Sequence, residues 1–206
     1  KRLKFGDDVA LISDAGTPLI SDPGYRLVSE ARQQGFTVIP IPGASAVIAA
    51  LSVAGLPTDK FTFIGFLPAK TTQRKTSLSA IKGSTETMVC YEAPHRIADT
   101  LSDMVDVFGP DRPGFMAREI TKNFETYLYG TMAELLEIVT ADSNQQRGEI
   151  VLVVGGALEE TETVSVDAEK ILGLLLKELP LTKAASLTSK ITGGDNKQLY
   201  QLGLSL

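Results

Sequence analysis

The sequence has very few of the residues that form disulfides and metal sites. Its 206 residues include one cysteine, Cys90, and one histidine, His95. One cysteine cannot form an intrachain disulfide, and the pair cannot supply the four ligands of a structural zinc ion. We therefore expect no disulfide and no structural metal site, and we interpret Cys90 as a small residue of the core.

Long apolar runs are absent as well. No segment reaches the roughly 18 consecutive apolar residues of a membrane-spanning helix, and the lysine-rich start leads into Gly6 and Asp7 instead of a secretory signal. We therefore expect a cytoplasmic protein with no membrane partner. The dinucleotide fingerprint G-x-G-x-x-G and the phosphate loop G-x-x-x-x-G-K-[ST] are missing too, which argues against redox and nucleotide-hydrolysing functions.

The chain has no excess of positive charge. Its formal net charge is −5, whereas a protein that coats DNA non-specifically is strongly basic. We therefore expect no DNA partner. Local RNA contacts stay open, since Lys70, Arg74 and Lys75 form one positive cluster and Arg118 and Lys122 another. Such clusters are more often the solvated faces of surface helices and loops.

What the sequence does contain is a repeated alternation of strand and helix patterns, which is typical of α/β layering. Asp22 and Pro23 predict the N-cap and first residue of a helix, and Gly35 predicts its end. The predicted strands are residues 9–13, 37–41, 61–66, 87–91, 114–120, 126–129 and 149–154, and the other predicted helices of this part are 44–54, 71–81, 94–108 and 132–141.

Beyond residue 161 the pattern indicates helices alone, at 166–178, 182–191 and 196–202, separated by Pro180 and Gly193. Three short helices suit a helix-turn-helix module that binds nucleic acid, although such chain ends more often serve packing or dimerisation. The sequence therefore predicts three parts: an α/β domain with ligand-binding loops at 1–57, a second α/β domain at 58–160 and a helical C-terminal module at 161–206.

Residues 13–24 form the first candidate site. They follow a predicted strand, and in open α/β sheets ligands bind where strands end, because loops and helix N-termini converge there. The segment combines small residues with the carboxylates of Asp14 and Asp22, which could accept hydrogen bonds from an amine or a hydroxyl. A tight turn followed by a capped helix explains it equally well. Residues 42–45 repeat the small-residue pattern at the next strand end, and two such loops favour a bound ligand.

Two further strand ends carry polar residues. Glu92 follows one predicted strand and is a better candidate for a general base than His95, which we interpret as a cap or surface residue. Arg118 and Lys122 lie at the end of the next strand, where they could orient a phosphate or lower the pKa of an alcohol. Glu119 could simply pair with either cation.

Six motifs occur in an order that resembles a known family. They lie at residues 13–24, 40–46, 65–68, 91–96, 117–122 and 148–152, and a further similarity covers residues 179–185. Together they resemble the ribosomal RNA small subunit methyltransferase I family, which belongs to the tetrapyrrole methylase fold group. A single motif would be weak evidence, but six in order over nearly the whole chain are highly specific.

The resemblance implies a two-domain tetrapyrrole-methylase-like α/β fold and a homodimer that binds S-adenosylmethionine, the methyl donor, between its domains. It also implies 2'-O-methylation of a cytidine ribose in small-subunit (16S) ribosomal RNA on an assembled ribosomal particle. Motif position assigns Glu92, Arg118 and Lys122 to catalysis, as a base or as cations that stabilise an alkoxide. The residues implied at the cofactor are Asp14, Ala15, Gly16, Ile20, Ser21, Ser45, Ala46, Tyr91, Ala117 and Ile150.

One departure from the family concerns the N-terminus. In the family a strand, a Pro-Ile-Gly-Asn loop, a helix and an acidic segment precede the position that matches Lys1. The resemblance therefore implies a first domain that is N-terminally incomplete, a cofactor cleft without one wall, and no activity in this form.

Two alternative functions stay open. The first is a tetrapyrrole carbon methylase of the uroporphyrinogen or precorrin type, which would share the cofactor site but not the acceptor. Arg74, Lys75 and the helical tail favour RNA over this acceptor. The second is a non-catalytic RNA-binding or assembly module that keeps part of the cofactor cleft.

Overall fold

The computed structural model describes residues 1–158 and 166–206. The chain divides into two compact units, Lys1–Ala157 and Leu158–Leu206. The first unit spans both of the α/β domains expected from the sequence, and the boundary between residues 57 and 58 stays a prediction, as does the one at residue 161. No helix within these two described ranges is long and apolar enough to cross a membrane.

A five-stranded mixed sheet forms the centre of the first unit. Its strands lie in the order β1-β2-β5-β3-β4, with β1 parallel to β2 and the remaining neighbours antiparallel. The central strand β5 is a continuous apolar run buried on both faces, which is why it occupies the middle of the sheet. The strands are β1 (Phe61–Phe66), β2 (Thr87–Glu92), β3 (Pro113–Arg118), β4 (Thr126–Thr131) and β5 (Ile150–Val154).

Helices flank this sheet and agree with most of the sequence pattern. Those of the first unit are α1 (Tyr25–Gln33), α2 (Ala46–Val53), α3 (Thr71–Ile81), α4 (Ile97–Phe108) and α5 (Met132–Ala141), with short 3-10 helices at Arg2–Phe5, Pro94–Arg96 and Ser143–Gln146. The start of α5 is fixed by a capping box: the Glu134 N–H donates to the Thr131 hydroxyl at 3.2 Å, and the Thr131 N–H donates to the Glu134 carboxylate at 2.8 Å.

The two faces of the sheet carry separate cores, because side chains alternate along each strand. One core joins strand residues such as Cys90 and Met116 to α3, α4 and α5. The other joins Val89 and Phe115 to α2. Cys90 is a buried core residue, as expected, and burial raises the pKa of its thiol.

The strands predicted at residues 9–13 and 37–41 are wrong: neither segment forms a strand. Ile12 is 85% exposed and Ile41 80% exposed. An apolar run becomes a strand only when a neighbouring strand takes its backbone hydrogen bonds, and nothing in the part of the chain that the structure describes pairs with either segment. An apolar pattern alone therefore does not show whether a segment has a neighbouring strand to pair with.

The start of the first helix also differs from the prediction. Helix α1 begins at Tyr25 with Gly24 as its N-cap. Asp22 does not cap the helix, because its carboxylate accepts the hydroxyl of Ser13 at 2.6 Å. The predicted end is close, since Gly35 with φ +79° follows directly after the helix and its C-cap.

Three helices make up the described part of the second unit. They are α6 (Val166–Leu175), α7 (Leu181–Thr192) and α8 (Asn196–Gly203). Leu172, Ala184 and Leu199 are fully buried between them. Gly193 ends α7 in the left-handed conformation, and Asp195 caps α8 by accepting the Gln198 N–H at 2.9 Å. All three helices predicted from the pattern are therefore confirmed.

Candidate active site

The two small-residue loops, residues 13–24 and 42–45, are in direct contact. The backbone N–H and the hydroxyl of Thr17 both donate to the carbonyl oxygen of Ala44, at 2.9 and 3.0 Å. Glycines permit this approach, since a Cβ at Gly16 would lie 3.2 Å from that oxygen. A Cβ at Gly43 would lie 3.3 Å from the Thr17 hydroxyl. The two loops therefore form one continuous surface.

The first loop has an unusual backbone conformation at two of its positions. Leu19 and Ser21 have φ angles of 77° and 61°, a region that residues with side chains seldom occupy. The hydrogen bond from Ser13 to Asp22 closes the loop at 2.6 Å. Asp14 is exposed next to it. The loop thus presents carboxylates and backbone groups on a fixed surface.

Tyr91 lies near this surface, at the end of β2. Its ring meets that of Phe63 edge to face, with 5.0 Å between the ring centroids. The pKa of Tyr91 is raised, mainly by burial and further by the negative charges of Asp22 and Glu149. Tyr91 also packs against the same core as Ala46, the residue directly after the second loop.

The predicted site residues on the sheet fall on two opposite faces. Tyr91 and Ala117 pair with the same residue of β5 and lie on the face covered by α2. Glu92 and Arg118 both pair with Ile150, and this row lies on the face covered by α4 and α5. The side chains of Tyr91 and Ala117 are thus brought together, whereas that of Ile150 belongs to the opposite core.

The remaining predicted cofactor residues lie on the two loops. Ile20 and Ser21 are exposed on the first loop, and Ile20 keeps 48% of its surface accessible. Ser45 is the N-cap of α2 and Ala46 its first residue. Helix α2 begins directly after the second loop, and the Ser45 side chain makes no capping hydrogen bond to its first turn. Ala15, Asp14 and Gly16 complete the exposed first loop.

Glu92 is buried and its carboxylate is fully engaged. The side chain is 0% exposed. One carboxylate oxygen accepts from the Ala93 N–H at 2.6 Å and from Arg96 at 2.9 and 2.5 Å. The other accepts the Thr100 hydroxyl at 2.7 Å. These contacts fasten the end of β2 to α4, and the catalytic role of Glu92 stays a prediction.

Arg118 is almost as deeply buried, at 7% exposure. One terminal nitrogen donates to the Thr126 hydroxyl at 2.8 Å. Its Nε is buried and has no hydrogen-bond partner among the described residues, and the same holds for Oε1 of Gln145. A buried donor without a partner is costly, so this end of β3 carries unused hydrogen-bonding capacity.

Lys122 is the predicted catalytic cation that stays accessible, with 45% of its side chain exposed. Its ammonium lies 2.9 Å from Glu119 and 3.1 Å from Glu149. Both carboxylates raise the pKa of Lys122, Glu119 first, and in return Lys122 is the main cause of the lowered pKa of Glu119. Lys122 is therefore held as a cation at the edge of the site.

The sequence missed Glu149 and left open which cation Glu119 pairs with, and the structure pairs it with Lys122. Glu149 is the first residue of the strand predicted at 149–154, and its acidity next to Gly148 was the available signal. The basic cluster on α3 has a structural explanation, since Arg74 is 1% exposed and donates to Asp103 at 2.6 Å. Arg74 thus links α3 to α4, and its presence does not support RNA binding.

Comparisons with known proteins show which class of protein the chain belongs to. Residues 1–136 match the family described as Tetrapyrrole (Corrin/Porphyrin) Methylases, and residues 162–206 match the RsmI C-terminal HTH domain. The chain is similar to the crystal structure of the methyltransferase CobJ, with a TM-score of 0.51 and 19% identity over 69% of this chain and 62% of that one. Diphthine synthase gives a TM-score of 0.51 and 15% identity over 70% and 59% of the two chains. These two structures share the fold, and the family match defines the chain as a methyltransferase of the tetrapyrrole methylase class.

Relatives with higher sequence identity show which family within this class the chain belongs to. The chain is 54% identical over 205 residues to ribosomal RNA small subunit methyltransferase I of Pseudomonas aeruginosa, covering 98% of this chain and 73% of the relative. It is 47% identical over 203 residues to the protein of that name from Escherichia coli O157:H7, covering 98% and 71%. The chain belongs to the ribosomal RNA small subunit methyltransferase I family.

Proposed function

We propose that this chain methylates the ribose 2'-hydroxyl of a cytidine in small-subunit (16S) ribosomal RNA, with S-adenosylmethionine as the methyl donor. The observation that carries the proposal is the contact of the two small-residue loops next to Tyr91 and the Lys122 cation, in a chain of this family. A methyl donor held on the loops and a cation beside them are what transfer to a hydroxyl requires.

The chemistry of the loops fits S-adenosylmethionine. A ligand with an ammonium group, a ribose and an adenine needs acceptors, backbone groups at close range and an apolar surface. Asp14 and Asp22 supply carboxylates, Gly16 lets the backbone approach, and Ile20 is an exposed apolar side chain. Under the proposal the cofactor is held by Asp14, Ala15, Gly16, Ile20, Ser21, Ser45, Ala46, Tyr91, Ala117 and, through its backbone, Ile150.

When bound, S-adenosylmethionine would supply a methyl group on a sulfonium: the ribose oxygen would bond to the methyl carbon as the carbon–sulfur bond breaks, and the electrons of that bond would leave with the sulfur. The task of the chain is to align the ribose oxygen and to accommodate the loss of its proton. We assign Lys122 to that oxygen, because an ammonium stabilises the negative charge that develops there.

Glu92 and Arg118 keep proposed roles as the base and as a second cation. Their burial on the face opposite to Tyr91 favours an action through neighbouring residues over direct contact with RNA. In that case the ribose hydroxyl loses its proton to solvent, and Glu92 holds the end of β2 in place from the opposite face of the sheet. Replacing Glu92 by glutamine separates these two roles, as set out in the Discussion.

The proposed partners are the assembled small ribosomal particle in the cytoplasm and a second copy of the chain. Large apolar side chains exposed in the first unit support a partner surface, with Ile12 at 85%, Tyr25 at 77% and Ile41 at 80% exposure. We expect the complete protein to have the mass of a dimer in light-scattering measurements after gel filtration, and a monomer would contradict this part of the proposal.

The acceptor is tested by offering two substrates to the complete protein with methyl-labelled cofactor. One is a small ribosomal subunit that lacks the modification, and the other is a uroporphyrinogen-type tetrapyrrole. We expect label in the RNA alone. Label that enters only the tetrapyrrole would exclude the RNA methylase in favour of a carbon methylase.

Cofactor binding is tested independently by calorimetry. We expect S-adenosylmethionine to bind the complete protein with measurable heat and Asp14→Ala to weaken this binding. Absence of binding to the wild-type protein, with intact binding to ribosomal particles, would identify a non-catalytic RNA-binding module instead.

A further inference from the structure

The turn that follows β3 holds Lys122 between two carboxylates, which play unequal parts. Nζ of Lys122 lies 2.9 Å from Oε1 of Glu119 and 3.1 Å from Oε2 of Glu149. The same oxygen of Glu119 accepts the backbone N–H of Glu149 at 2.8 Å. The N–H of Glu119 in turn donates to the Glu149 carbonyl at 2.9 Å. Glu119 therefore fastens the turn to the start of β5 and holds the lysine with the same group.

Burial distinguishes the two carboxylates. The side chain of Glu119 is 17% exposed, whereas that of Glu149 is 76% exposed. Glu119 lies over Gly148, where a Cβ would collide with its carboxyl group. An exposed carboxylate on a mobile side chain positions its partner weakly. Glu119 is thus the fixed member of the pair, and Glu149 is the adjustable one.

The backbone of the turn directs Lys122 toward Glu119. Glu119 and Thr121 have φ angles of 54° and 67°, which residues with side chains adopt only when their surroundings enforce it. A hydrogen bond from the Lys122 N–H to the Glu119 carbonyl at 2.9 Å closes the turn. The Thr121 N–H donates to the Glu125 carboxylate at 2.5 Å. These bonds maintain the conformation in which the two side chains meet.

We propose that Glu119 is a positioning residue for methyl transfer, which holds the Lys122 ammonium where the ribose oxygen develops negative charge. The inference rests on the proposed function and on the role of Lys122 in it. A free lysine side chain samples many rotamers, and their loss opposes any single productive arrangement. An ammonium already ordered by Glu119 loses less freedom when the acceptor arrives, which is the condition for catalysis by orientation.

A double-mutant cycle in the complete protein tests this role. The variants are Glu119→Gln, Lys122→Met and the combination, each assayed for kcat and for KM with cofactor and with unmethylated small ribosomal subunits. We expect Glu119→Gln to lower kcat by about 10- to 100-fold while the KM for cofactor stays unchanged. In the Lys122→Met background the same substitution should cause no further loss, because its effect passes through the lysine.

The control variant is Asp106→Asn. Asp106 pairs with Lys75 at 2.7 Å between α3 and α4. Its replacement therefore also removes a carboxylate from beside a lysine, but at a place outside the site. We expect wild-type kcat for this variant. Melting temperatures of all variants report on folding, and Glu119→Asp, which keeps the charge on a shorter side chain, replaces Glu119→Gln if the latter does not fold.

The outcomes separate the two proposals. Wild-type kcat in Glu119→Gln or in Glu119→Asp would overturn the positioning role, as would equal losses in the presence and absence of Lys122. A wild-type protein that leaves ribosomal particles unmethylated would instead refute the proposed function itself.

Discussion

Thr17 makes two hydrogen bonds to the carbonyl oxygen of Ala44, one from its backbone N–H at 2.9 Å and one from its hydroxyl at 3.0 Å. This pair of bonds joins the two loops that we assign to the cofactor. Thr17 and Ala44 are 27 positions apart in the chain, and helix α1 lies between the two loops. Their joint surface therefore depends on Thr17.

Replacing Thr17 by valine removes the hydroxyl bond and keeps the shape of the side chain. A typical hydrogen bond contributes about 1 kcal/mol, so we expect the dissociation constant of S-adenosylmethionine to rise roughly fivefold in calorimetry. Thr140→Val, which removes a hydroxyl bonded to the Leu136 carbonyl on α5 at 2.7 Å, serves as control. Equal affinity in wild type and Thr17→Val would show that the loop contact does not shape the site.

Glu92 provides a prediction about stability. Glu92→Ala leaves Arg96 without its carboxylate and removes the bond to Thr100. Breaking a buried ion pair from one side costs about 3–5 kcal/mol, and the partial exposure of Arg96, at 17%, places the expected loss toward the lower end. The measurement is urea-induced unfolding of the first unit within the complete protein.

Glu92→Gln separates the two roles of this residue. The amide keeps the shape and part of the hydrogen bonding, so a positioning role predicts lowered stability with methylation largely retained. Methylation abolished at wild-type stability would instead establish Glu92 as the base. Glu86→Gln, at the residue directly before the same strand, is the matched control.

Arg74 gives a second stability prediction. Its guanidinium donates to Asp103 at 2.6 Å and to the Ala69 carbonyl at 3.2 Å. Arg74→Ala leaves Asp103 buried, with Lys75 at 3.5 Å as its remaining cation. We expect the free energy of unfolding to fall by about 3 kcal/mol, while Lys70→Ala at the exposed N-cap of α3 leaves it unchanged. Weakened particle binding at unchanged stability would restore an RNA-binding role for Arg74.

Lys122 makes the activity depend on pH. Glu119 and Glu149 raise its pKa, so the protonated form persists to higher pH than in a free lysine. Methylation that needs the ammonium therefore declines only as the pH rises through this raised pKa. Glu149→Gln removes one of the two negative charges that raise the pKa of Lys122. We therefore expect the decline of kcat at high pH to begin at a lower pH in this variant. An unmoved limb would mean that a different group controls it.

The reliability of the sequence pattern depended on how local each interaction is. The apolar run of β5 predicted a buried strand because continuous burial requires neighbours on both faces. The helix predicted at 132–141 is confirmed as α5, whose start is fixed locally by the capping box at Thr131. Residues 9–13 carry a similar apolar run, yet their conformation depends on a pairing partner elsewhere in the chain. No local property of the run reveals whether that partner is present.

The candidate site likewise has features that the local sequence predicts and features that it does not. The rule that ligands gather at strand ends drew attention to both small-residue loops, and the structure shows that they touch at Thr17 and Ala44, although the segments before them are not strands. The sequence left Glu119 free to pair with Arg118 or with Lys122. The choice of Lys122 follows from the left-handed backbone at Glu119, which brings the lysine back onto it. Conformations of this kind have no dependable signature in residues other than glycine.

Mass spectrometry of nuclease-digested small-subunit RNA is the most direct test of the central proposal. Unmodified ribosomal subunits are incubated with S-adenosylmethionine and either the wild-type complete protein or its Lys122→Met variant. We predict a single cytidine that gains one methyl group on its ribose with the wild type and scarcely any with the variant. A methyl group on a base, or an RNA left unmodified by the wild-type protein, would contradict the account.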